Sequence, residues 1–234
     1  MRSMTTPGGE SEVDRILAAQ ALEAAKARAQ LAARAAAGIG ERVAACPPYQ
    51  AAVVMALALR RTLAIADLPK AEADFDQYGK LIDAGKRMNL SYLMSVPATN
   101  VSTEVSARLE QAIGTPELPL EDPGGSEGAF LGVAVMIEYL LDAWTRPDPE
   151  KAAEALDYVY SPFAEGLEDF PFLPPGAPLG EMETACQSAD LDAVTSLGEP
   201  ITVEQFDELA AAPESVALGQ AYRARVVEII AAGE

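Results

Sequence analysis

The chain has 234 residues, half of them hydrophobic, a formal net charge of −19 and no histidine. That length and apolar content allow one large domain, or one domain with an appendage. Without histidine, these residues cannot build a Ser-His-Asp or Cys-His catalytic set, a His-containing zinc site, a ferritin-like Glu-x-x-His motif or an imidazole pH switch.

The charge is unevenly divided. Residues 1–45 carry 6 bases against 5 acids, residues 46–113 carry 7 against 7, and residues 114–234 carry 4 against 24. A field of this kind repels nucleic acid and anionic lipid and favours basic partners. Cys46 and Cys186 form neither a CxxC motif nor a dense disulfide framework, and are expected as reduced, buried thiols. The opening MRSMTTPGGESE lacks an apolar signal core, and charges interrupt the long apolar runs before they reach membrane-spanning length. A soluble, cytoplasmic protein is expected.

In chain order, residues 1–10 hold little to bury and read as a disordered start. Residues 11–45 are rich in Ala, Leu, Glu, Lys and Arg, with acids early and bases late, which predicts a long Ala-rich N-terminal helix. Pro47 and Pro48 end it, and the acidic helical domain is expected over 46–234. Tyr49–Ala66 forms a very apolar helix interrupted by Arg60 and Arg61, which point about 100° apart. Pro69 opens a third helix closed by Gly85, a short helix is favoured within Lys86–Pro97, and Ser102 or Thr103 caps a fourth through Ile113. The proline- and glycine-rich TPELPLEDPGGS, residues 115–126, is a connector.

Glu127–Arg146, EGAFLGVAVMIEYLLDAWTR, is apolar on nearly every side of a helical wheel, the pattern of a helix enclosed by others, and would run about 30 Å. Asp148 caps the next helix and Pro149 starts it; Pro162 should bend or end it. FPFLPPGAPLG, residues 170–180, is too proline-rich for regular structure and is expected to staple over the core. Glu181–Ser196 forms a short helix, TVEQ from Thr202 fits a capping box, and Pro213 begins a final helix facing the core through Leu218, Tyr222, Val226 and Ile229. The fold class is all-α: a single multi-helix bundle of eight or nine helices around the central apolar helix 127–146.

No phosphate loop, nucleotide fingerprint, nucleophile elbow or clustered cysteine pair is present. Asp190 and Asp192 resemble the start of a calcium loop, but its required glycine and glutamate are missing. No catalytic residue, metal or cofactor is assigned. The best constellation is a candidate buried ion-pair cluster of Arg60, Arg61, Glu138 and Asp142, more architectural than catalytic. Its carboxylates, one turn apart, could hold a cation or serve acid/base work in an alternative enzymatic reading.

The runs VVMALALRR (53–61), FDQYGKLIDAG (75–85), ARLEQAIGTP (107–116) and GVAVMIEYLLDAW (132–144), with the closing EQFDELAAAP and YRARVVEII, resemble the helix succession of the YjaG-like family. These are small all-helical bacterial proteins of unknown function. The resemblance spans roughly 46–232 and implies a helical fold without an activity.

The expected function is a non-enzymatic, acidic helical protein that binds a protein partner with a basic face, for example as an immunity-type inhibitor covering the active site of a basic toxin. Nucleic acid and membrane are not expected partners. A second alternative is assembly through the N-terminal helix.

Overall fold

The apolar runs of the sequence become helices, and where a run is apolar all round its helix is enclosed. The computed structural model describes residues 38–68, 85–86, 88–95, 125–145, 148–170, 173–174 and 176–233. The chain divides into two compact units, Met1–Ala37 and Gly38–Glu234, and every described residue belongs to the second. The Ala-rich helix up to residue 37, the helices expected over Pro69–Gly85 and Ser102–Ile113, and connector residues 115–124 lie outside the described residues, apart from Gly85. Among the described residues all regular structure is helical and there is no strand.

The helices are α1 Ile39–Ala44, α2 Pro48–Thr62, α3 Leu90–Met94, α4 Gly125–Thr145, α5 Pro149–Tyr158, α6 Leu179–Ser196, α7 Val203–Ala210 and α8 Pro213–Ala231. A 3-10 turn, Leu63–Ile65, extends α2. Gly38 sets the start of α1 with φ 59°, in the left-handed region that glycine enters without a steric penalty. Asp148 accepts a hydrogen bond from the Glu150 N–H at 2.9 Å and Pro149 follows it, so α5 begins as its sequence indicates. Thr202 and Gln205 cap α7 reciprocally.

At Pro162 the helix continues instead of ending. The backbone widens into a π-helix over Val159–Glu165, then returns to α-helix over Gly166–Glu168. Proline has no N–H for an i−4 carbonyl, and a register of i→i+5 is one way a helix passes such a position.

Helix α2 packs against α3, α4, α5, α6, α7 and α8. Every residue from Ala51 to Leu59 is buried, because alanine, valine and leucine on all faces let neighbours close on all faces. Helix α4 packs against α2, α5, α8 and the π segment, and buries Phe130, Val133, Met136, Ile137 and Leu140. It is less completely enclosed than α2, since Glu127, Glu138 and Asp142 sit at half-buried positions. Helix α8 contributes Leu218, Tyr222, Val226 and Ile229, all at 0% exposure, and the Tyr222 ring meets Phe163 edge-on with centroids 5.0 Å apart.

Long polar side chains tie the elements together. Arg225 of α8 donates to the carbonyls of Leu167 at 2.7 Å, Glu168 at 3.0 Å and Pro174 at 3.0 Å, so Pro174 is held by its backbone, and Leu179 beyond it is buried. The Glu168 carboxylate accepts from the Gly180 N–H at the start of α6. Tyr49 links three segments: its hydroxyl donates to the Met94 carbonyl and accepts from the Ile201 N–H at 2.9 Å. Arg42 joins α1 to α6 through Ser188 and Asp192.

Candidate functional site

The four residues expected to form one cluster are not brought together. Asp142 is ion-paired with Lys151 at the start of α5. Glu138 is half-buried on α4, and burial raises its carboxyl pKa. Arg60 is exposed. Arg61 alone turns inward, and its partners come from α6.

The Arg61 guanidinium donates to Glu183 through Nη2 at 2.7 Å and Nε at 3.3 Å, and to Asp190 through Nη1 at 2.6 Å. Tyr222 donates its hydroxyl to Glu183 Oε2 at 2.7 Å, and Gln187 donates to Glu183 Oε1 at 3.0 Å and to the Leu156 carbonyl at 3.1 Å. Glu183 therefore receives four donors, about the number a carboxylate can accept. Positions 183, 187 and 190 share one face of α6, which presents polar groups where an ordinary core helix presents leucine.

One guanidinium facing two carboxylates in a dry interior sets their titration apart. For Glu183, burial pushes the pKa up but is overcome by Arg61 and the other donors, so the carboxyl lies below its ordinary value. For Asp190, burial prevails over Arg61 and the pKa is raised. Cys186, beside them on α6, is pushed up to about 11, mainly by burial, and with Cys46 is buried and unbridged. A thiol held protonated in this way is a poor nucleophile. Burial is also the first cause that keeps Tyr222 protonated.

Next to this cluster runs an open groove of about 370 Å³ between the end of α2, helix α7 and the first three turns of α8, to which Arg60, Arg61, Asp207, Ser215, Gly219 and Arg223 contribute. Gly219 permits the close approach: a Cβ there would lie 3.3 Å from Ala64 Cβ and 3.4 Å from the Arg61 carbonyl oxygen. Arg223 donates to the Ala64 carbonyl at 3.1 Å. Asp207 accepts from the Ser91 hydroxyl at 2.5 Å.

Acidic side chains predominate on the described exterior. Among the described residues 14 acidic side chains are exposed against 2 basic ones. Glu150, Glu154 and Asp157 lie along one face of α5, and Glu204, Asp207 and Glu208 along one face of α7. Among the described residues no group of three or more Cys, Asp or Glu side chains could hold a metal ion, and no helix is long and apolar enough to cross a membrane.

The pairing of Arg61 with Glu183 and Asp190 was not found by sequence reasoning, because 122 and 129 residues separate the partners. The available signal was the 4- and 3-residue spacing of Glu183, Gln187 and Asp190 beside Cys186, a polar row inside a helix that also carries Leu179, Leu191 and Val194. No protein-family model, curated protein or solved structure matches this chain.

Proposed function

We propose that this is an acidic helical protein-binding protein that recognises a partner through a basic face, with an immunity-type inhibitor of a basic toxin as one concrete form. The carrying observation is the excess of exposed acids, 14 against 2 exposed bases among the described residues. Potentials of one sign steer an oppositely charged partner and fix its register. The helical rows on α5 and α7 supply such a field in two ordered strips. The same reading includes the finer architecture, a bundle of eight or nine helices around one apolar helix with an Ala-rich N-terminal arm, and the likeness to the YjaG-like family.

The test is capture of partners from cell lysate at low and high salt, with the unaltered protein and with Glu150→Lys/Glu154→Lys/Asp157→Lys and Glu204→Lys/Glu208→Lys variants. A basic protein that elutes as salt shortens the screening length, and that at least one variant fails to retain, supports the proposal. A partner held equally at both salts, or capture of acidic proteins only, overturns it.

A further inference from the structure

Seven basic side chains are described, and five have carboxylate partners: Arg42 with Asp192, Arg61 with Glu183 and Asp190, Lys86 with Asp67, Lys151 with Asp142 and Arg225 with Glu228. The two without one among the described residues are Arg60 and Arg223. Both border the same groove. In a chain with twice as many acids as bases, two arginines that border one groove without an ion pair to a described carboxylate are free to meet an anion there.

A second observation is independent of charge. Ser215 forms part of the groove wall and is 5% exposed. Ser215 also stands in the first turn of α8, a 19-residue helix whose start has no side-chain cap and whose Pro213 lacks an N–H. Positive potential at a helix start, a hydroxyl donor and two guanidinium groups share one chemistry, the recognition of an oxyanion. Ala64, Ala210, Ala211 and Val216 add an apolar surface, and about 370 Å³ falls within the range of small-molecule sites.

We infer that the groove between α2, α7 and α8 binds a small organic oxyanion, a phosphate monoester or a carboxylate, with its charged group between Arg60 and Arg223 at Ser215 and its apolar part against the alanines and Val216. Asp207, on the same wall, disfavours bulky polyanions and selects ligands of low charge. The surrounding acidity opposes every anion, so binding depends on these local contacts rather than on long-range attraction.

The full chain is titrated by calorimetry and thermal shift with methyl phosphate, inorganic phosphate and propionate, against chloride at equal ionic strength. Arg60→Gln, Arg223→Lys and Ser215→Ala are compared with Lys86→Gln, an exposed cation outside the groove; circular dichroism confirms that each is folded. Saturable binding of methyl phosphate or of propionate is expected, and whichever binds identifies the group. Arg60→Gln should weaken it about tenfold, as for one lost charge-assisted hydrogen bond, while Lys86→Gln leaves it unchanged. The inference is overturned if none of the three binds, or if binding survives Arg60→Gln and Ser215→Ala undiminished.

Discussion

Arg60 and Arg61 leave the same helix one residue apart and end in opposite surroundings. Arg61 is 3% exposed and bound to two carboxylates; Arg60 is exposed, with no carboxylate among the described residues. A rotation of about 100° between successive helical residues is enough to separate them. An inward arginine must bring its counter-charges with it, because burying an isolated ion costs several kcal/mol even after relaxation. An outward one keeps its water and stays available. The difference separates two settings: the buried cluster ties α2, α6 and α8 together, whereas Arg60 borders the open groove.

The largest effect should come from Arg61→Met. It leaves Glu183 and Asp190 buried without a cation and should cost about 3–5 kcal/mol in urea denaturation. An equal loss from Arg60→Gln would abolish the contrast between the two arginines. Tyr222→Phe keeps the ring against Phe163 but removes a donor from Glu183, with an expected cost of about 1.5–3 kcal/mol.

The pH dependence sharpens the comparison further. Glu183 has a folded pKa below its ordinary 4.5, so it contributes stability above that value which is lost as pH falls through the folded pKa. Asp190 acts oppositely: its raised pKa means that the folded protein holds the proton more tightly, and stability declines as pH rises from 3.8 towards the folded value. In Asp190→Asn, stability should therefore climb more steeply with pH between about 3.8 and 4.5 than in the unaltered protein, as read from denaturation midpoints. The smallest effect is that of Arg60→Gln on stability, within about 0.5 kcal/mol.

Local signals in the sequence indicated local structure well. The capping box at Thr202 and Gln205, the Asp148–Pro149 start and the final stripe from Leu218 to Ile229 each rest on interactions within a few residues, and all three are present. The inward turn of one arginine was also legible, because two adjacent charges in an apolar helix cannot both face water if the helix is enclosed. Its partner was not. Choosing Glu183 and Asp190 over Glu138 and Asp142 requires knowing that α6, rather than α4, brings its polar row to the end of α2, and helix composition does not encode that adjacency. The groove was hidden for the same reason, since Arg60, Ser215 and Arg223 meet only after α8 returns across the end of α2.

The clamp formed by Arg225 carries a consequence for synthesis. Pro174 leaves the ribosome 51 residues ahead of the side chain that will bind its carbonyl, and the Leu167 carbonyl leaves 58 residues ahead. Those carbonyls are left to water while the intervening chain is made. Their hydrogen bonds to Arg225 thus form only once α8 has been made, so synthesis of that helix also completes contacts of a region translated much earlier.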